Sequence, residues 1–93
     1  MTMQIAEIDR LATMLRSLAH PARLQIVAAL ARAGDASCLD LTREVALAQS
    51  TVSEHIRVLK EAGLVEQSGA GPRSGYCIRR DALVWVKQMV VAL

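Results

Sequence analysis

Between Leu41 and Val65 the chain reads LTREVALAQSTVSEHIRVLKEAGLV, two short helical patterns with a tight turn between them. In the second pattern Val52, Ile56, Leu59 and Gly63 recur at steps of four, three and four. At about 100° per residue that spacing puts them on one stripe of an α-helix facing a core. The opposite face carries Ser50, Glu54, Arg57 and Glu61, with Gln49, Thr51 and Ser53 toward its edges. These side chains donate and accept hydrogen bonds, and a major groove is about as wide as a helix, so the pattern predicts a helix-turn-helix with a polar reading face. An ordinary amphipathic surface helix would share this wheel. The residues after the helix are more specific: 64–67, the loop SGAGPRSG and 76–79 read as a strand, a glycine-rich connection and a second strand, which together make a hairpin or wing.

The flanking segments are helical as well. Ile5, Ile8, Leu11, Leu15 and Leu18 recur at steps of three and four and form a narrow apolar seam that calls for a partner. His20 and Pro21 interrupt it, because the residue before proline avoids the α region while proline suits the first turn of a new helix. The second helix therefore starts near Pro21 and runs through Leu24, Ile26, Val27 and Leu30 to about Arg32, apolar on more than one face and central to the core. His20 reads as a capping residue, with a ligand role as the alternative. Gly34 and Asp35 read as a loop, and Ser37 with Asp40 forms an S-x-x-D capping box ahead of a third helix over about 38–46. After the wing, Asp81 reads as the N-cap of a last helix in which Leu83, Val84, Trp85, Val86, Met89, Val90, Val91 and Leu93 leave little polar surface. A terminal helix apolar nearly all round, beside the first-helix seam, predicts a two-fold homodimer.

The segments LAHPARLQIVAAL, LAQSTVSEHIRVLKEAGLV and RSGYCI resemble, in order and spacing, the ArsR/SmtB family of bacterial winged-helix repressors, and the likeness covers nearly all of the 93 residues. It implies a mainly α fold with a two-stranded β-wing between the fourth and fifth helices. On that reading residues 1–93 are one winged helix-turn-helix domain, with the helix-turn-helix at about 38–62, the wing at about 64–79 and dimerisation helices at about 3–18 and 81–92. The implied partners are double-stranded DNA and a second copy of the chain. The implied function is sequence-specific regulation, as a repressor on a pseudo-palindromic operator whose half-sites lie ~34 Å apart.

Gln49, Ser50, Ser53 and Arg57 come from the helical wheel as DNA-contacting residues, and the resemblance adds Thr51 and His55. By periodicity His55 lies beside the apolar stripe, so packing against the third helix competes with a phosphate contact. Glu54 would be repelled by phosphates and is read as an acceptor for a cytosine amino group. In the wing, Arg73 lies between glycine-rich segments and is expected at the minor groove, with Arg79 or Arg80 nearer the phosphates.

Two departures from the family pattern matter. Ala46 and Ala48 stand where members usually carry glycine and serine around the turn. The best-known metal site of the family uses Cys-x-Cys-Asp-Leu on the third helix, whereas this chain has Ser37-Cys38-Leu39-Asp40-Leu41, so no metal ligand and no cofactor is expected there. An alternative keeps Cys38 and Cys77 as a thiol-, redox- or metal-responsive pair, Cys77 having a lowered pKa beside Arg79.

Composition changes the picture in three respects. Apolar residues make up 53% with no Phe, one Trp and one Tyr, so the core must be aliphatic and a small chain must hide much of it against a partner. A net charge of +2 does not by itself signal nucleic acid; Arg57, Lys60, Arg73, Arg79 and Arg80 against Glu54, Glu61 and Glu66 make only a local excess. That balance leaves a protein-interaction module as a second reading. Two cysteines at unrelated positions suggest no disulfide framework, and with neither a signal-like segment nor ~18 consecutive apolar residues a cytoplasmic protein is expected. An enzyme fits poorly, since no nucleophile elbow, phosphate-cradling loop or metal-ligand cluster accompanies the Ser, His and Asp residues.

Overall fold

Local signals punctuate the chain, and the fold depends on where they fall. In the computed structural model, which describes residues 2–69 and 75–93, the order is α1 (Ile5–Leu18), α2 (Pro21–Ala33), β1 (Asp35–Ala36), α3 (Cys38–Val45), α4 (Gln49–Glu61), β2 (Val65–Ser68), β3 (Gly75–Ile78) and α5 (Arg80–Val91). His20 caps α2 as expected, its Nδ1 accepting the Ala22 amide at 3.1 Å. Ser37 and Asp40 form the reciprocal box at the start of α3, Oγ accepting from the Asp40 amide at 3.1 Å and the carboxylate accepting from the Ser37 amide at 3.2 Å. Gln4 and Glu7 make a further capping box at α1. Asp81 is not the N-cap of α5; Arg79 holds that place without a side-chain cap, and Asp81 sits in the first turn, where its charge complements the helix dipole.

Helix α4 ends in a Schellman motif. The Gly63 amide donates to the Lys60 carbonyl at 3.1 Å and the Leu64 amide to the Leu59 carbonyl at 3.0 Å, which satisfies two carbonyls that the helix leaves open. Gly63 therefore lies just past the helix at φ +86°, not on its core stripe. The motif reverses the chain so that Leu64 and Leu59, both fully buried, meet the core together.

The expected two-stranded wing is part of a three-stranded antiparallel sheet, in the order β1-β3-β2. Asp35, read as loop from the sequence, pairs with Cys77, and Ala36 pairs with Tyr76. On the other side of β3, Val65 pairs with Ile78 and Ser68 with Gly75. A two-residue edge strand has no period to read, which is why it escaped detection. Its consequence is mechanical: β1 ties the α2–α3 connection to the wing. Gly75 makes room for this, since a Cβ there would come within 2.7 Å of the Ala36 carbonyl oxygen.

The core is aliphatic, centred on Ile26, Leu30, Leu41, Val52, Ile56, Leu59, Leu64 and Val65. Leu11 and Met14 of α1 and Ala82, Val86 and Met89 of α5 close it. Where α1 and α5 meet, the Arg10 guanidinium sits 4.2 Å from the centre of the Trp85 ring, a cation–π contact. Both helices also carry apolar surface that the chain leaves open: Ile5, Ile8 and Leu15 on α1, and Val84, Val90 and Val91 on α5. No helix among the described residues is long and apolar enough to cross a membrane.

At the turn between α3 and α4, Ala46 adopts the left-handed conformation (φ 55°), and Ala48 occupies the N-cap of α4 with no side-chain hydrogen bond. Ala48→Ser is expected to raise stability by ~1 kcal/mol, since a serine Oγ would accept an open first-turn amide. Gly63→Ala is expected to lower it by ~1 kcal/mol; the added methyl has space, 3.8 Å from the Met14 methyl, but the backbone is left-handed. Urea denaturation of both variants, read as midpoint shifts of opposite sign, checks the pair.

Candidate nucleic-acid interface

Burial of Val52, Ile56 and Leu59 orients α4, and with it the other side of the helix. Gln49, Ser50, Thr51, Ser53, Glu54 and Arg57 are all exposed. The first four crowd the N-terminal turn, beside the exposed Leu47 of the inter-helix turn. The wheel thus anticipated which side of the helix is exposed. Ser53 has a neighbour that the sequence did not indicate, Cys38 of α3, with Sγ and Oγ 3.4 Å apart.

Arg57 is clamped between two carboxylates. Its Nε donates to both oxygens of Glu54 at 3.1 Å, Nη2 also reaches Glu54, and Nη1 donates to Glu61 at 2.7 Å. The hydrogen bond from Arg57 holds the Glu54 carboxyl below the usual carboxylate range, and the same bond makes the guanidinium still harder to deprotonate. Side chains on both sides remain more than half exposed, so water and salt screen the pairs. Glu54, which read as an awkward neighbour of phosphates, is in this structure a partner of Arg57, as is Glu61.

His55 meets the residue that caps α2. It is half-buried against the start of α2, with its ring centre 4.4 Å from that of His20 and the planes tilted by 48°. Desolvation, first, and the nearby charges of His20 and Arg23 push its pKa below 6.5, with Glu54 opposing weakly. No local pattern could have indicated this pair, because the two histidines belong to different elements.

At the base of the wing Arg79 is exposed and within ion-pair range of Glu66, at 3.9 Å, and Asp81, at 3.5 Å. Arg80 is exposed as well, whereas Arg73 lies outside the described residues. Cys77 corrects an expectation: its thiol is pushed up, not down, first by desolvation and then by Glu66, whose carboxylate lies 3.9 Å from Sγ, and by Asp35 across the β1–β3 pair. Arg79 is itself taken up by carboxylates and cannot offset them. Cys38 and Cys77 are both free thiols.

The family's metal positions do not fit a metal here. Ser37 uses its side chain to cap α3, Leu39 is half exposed and carries no donor atom, and Cys38 lies on Ser53. Among the described residues no three His, Cys, Asp or Glu side chains stand together in a way that could hold a metal ion.

Similarity to known proteins agrees with this geometry. The helix-turn-helix domain family matches residues 18–68. The chain is 30% identical over 78 residues to the HTH-type transcriptional regulator YgaV of Escherichia coli strain K12, covering 84% of this chain and 79% of that protein. It is 36% identical over 70 residues to the biofilm growth-associated repressor of Agrobacterium fabrum, covering 75% of this chain and 59% of that one. Among solved structures, the homodimeric winged helix-turn-helix DNA-binding domain of a possible ArsR-family regulator from Mycobacterium bovis superposes with a TM-score of 0.77 at 31% identity, over 99% of this chain and 90% of that one. With its five-helix frame, its sheet-anchored wing and these relatives, the chain belongs to the ArsR/SmtB family of winged helix-turn-helix transcriptional regulators.

Proposed function

We propose that this protein is a repressor that binds a pseudo-palindromic operator as a homodimer, with the N-terminal half of α4 in the major groove. The observation that carries the reading is the exposed polar turn Gln49, Ser50, Thr51 and Ser53, held rigidly outward by the buried stripe behind it. Gln49 suits an adenine edge, the hydroxyls suit phosphates or either base type, and Arg57 suits guanine or a phosphate once it exchanges a carboxylate for it. Arg79 and Arg80 at the wing base supply backbone contacts, and Arg73, outside the described residues, is expected to add to them. His55, set back against His20, supports α4 from behind.

Dimerisation rests on the open apolar stripes of α1 and α5, which leave Ile5 79% and Val91 86% exposed in a single chain. Covering them with the same surface of a second copy would remove this apolar area from water and place two α4 helices about one turn of B-DNA apart. The homodimeric Mycobacterium relative and the Agrobacterium repressor support assembly and repression respectively. Occupation of an operator would then exclude polymerase. Neither thiol is recruited to this reading, since Cys77 is raised in pKa and Cys38 packs on Ser53.

The carboxylate clamp on Arg57 favours one other reading, a winged-helix module that docks on protein, because it leaves the outer face of α4 with little net positive charge. Mobility shifts on the protein's own upstream DNA against random DNA separate the two. A regulator binds the former more tightly, with affinity falling steeply as salt rises.

Ile8→Glu, on the exposed α1 stripe, is expected to give a folded monomer where the parent protein is a dimer; sedimentation at low micromolar concentration reads this directly. Arg57→Ala is expected to weaken operator binding by about tenfold or more and to reduce the slope of log K against log salt by ~0.9 per half-site. Glu54→Gln should act in the opposite sense on random DNA, tightening it, because a phosphate-repelling charge is lost and Arg57 keeps only one of its two carboxylate partners, Glu61. Unchanged affinity and slope for Arg57→Ala would remove this residue from the interface.

A further inference from the structure

On the flank of α1 away from its open apolar stripe, a cleft of about 290 Å³ opens between α1, α2 and α4. Thr13, Arg16 and Ser17 of α1 line it, with Arg23 of α2 and Val58 and Glu61 of α4. Its size suits a ligand of a few heavy atoms, at the small end of the range for bound metabolites. The chemistry of its walls is unusual for so small a domain. Arg23 Nε is buried and has no hydrogen-bond partner, alone in this respect among the side-chain nitrogen and oxygen atoms of the described residues. A buried N–H of a charged group left without an acceptor is unfavourable, so the place calls for one.

The neighbours favour an anion. Arg16 uses one N–H on Thr13 Oγ1 at 3.3 Å, which leaves most of its fork free and leaves the threonine hydroxyl proton free to donate. Behind Arg23 stand His55 and His20, and the Arg23 charge already disfavours a proton on His55. Glu61 is the one acidic wall residue, and its carboxylate is taken by Arg57 at 2.7 Å. Ser17 directs its hydroxyl to the Met14 carbonyl at 2.6 Å and offers no donor.

We propose that this cleft binds a small oxygen anion, a carboxylate or a phosphate, held by the guanidinium groups of Arg16 and Arg23 and the hydroxyl of Thr13. Glu61, on the α4 wall, repels anionic oxygens and so directs them toward the arginines. Because Glu61 also holds Arg57, occupancy is felt on the outer face of α4; that last step rests on the DNA-binding reading, whereas the binding itself does not.

The test is therefore made without DNA. The ¹H–¹⁵N spectrum of the intact protein is followed during titration with sodium phosphate, sodium succinate and uncharged succinamide, at ionic strength held constant with sodium chloride. A saturable shift of the Arg23 Nε–Hε resonance with either anion, absent with succinamide, is expected, and the more effective anion identifies the ligand class. Arg16→Gln, an exposed change that leaves the core intact, should weaken that binding by about tenfold, the loss expected from removing one charge-assisted contact. Arg23→Lys, which keeps the charge but loses the fork, should weaken it similarly, read in that variant from the backbone amides of Thr13, Arg16 and Val58 that line the cleft. Shifts that rise linearly and match those of sodium chloride alone, or an affinity unchanged by Arg16→Gln, would overturn the site. Neither result bears on operator binding, so the two readings fail independently.

Discussion

Burial of three side chains on one helix, Val52, Ile56 and Leu59, governs the arrangement of this domain. Each is at most 1% exposed, and removing such a side chain from water contributes roughly 2 kcal/mol. Turning α4 by a single residue would forfeit most of that, so the outward direction of Gln49, Ser50, Thr51 and Ser53 is set from behind and not by anything on the exposed face. The Schellman turn at Gly63 then returns the chain with Leu64 and Val65 into the same core, and β2 begins where this burial leaves it. The wing is positioned by the same apolar cluster that positions α4.

Charge is handled differently from shape. Arg57 lies between Glu54 and Glu61, and Arg79 within reach of Glu66 and Asp81, so two cations of the proposed interface are each matched by carboxylates in the free chain. Exposed pairs of this kind add little to stability, because water screens the attraction and ordering two long side chains opposes it. Exchange of a carboxylate for a phosphate therefore meets little resistance, while the acidic groups left behind repel any backbone that does not also offer good base contacts. This gives a physical reason why a chain with a net charge of only +2 can suit a selective regulator better than a general DNA-coating protein.

Much of the fold was legible in the chain, and the particular residues explain why. The capping roles of His20, Ser37 and Asp40 lie within three residues of the groups they satisfy, so spacing alone discloses them. The α4 stripe is equally local, and so is the missing side-chain cap at Ala48, whereas the left-handed backbone of Ala46 shows only in the structure. The extra strand at Asp35 was not legible, because two residues carry no alternation and its partner Cys77 is remote in the chain. Cys77 was misjudged for a related reason: proximity in sequence to Arg79 suggested a lowered pKa, whereas the groups that surround the thiol, Glu66 and Asp35, arrive through strand pairing.

The sequence by itself therefore determined the helices, the caps of α2 and α3, the β2–β3 hairpin, the family and the polar face of α4, since each depends on neighbours three or four positions away or on a short linear motif. Tertiary structure alone decided that His55 meets His20, that β1 anchors the wing, and that Arg16, Arg23 and Glu61 surround one cleft. Those juxtapositions join residues from separate elements, and only the packing of the aliphatic core fixes how far apart the elements come to rest.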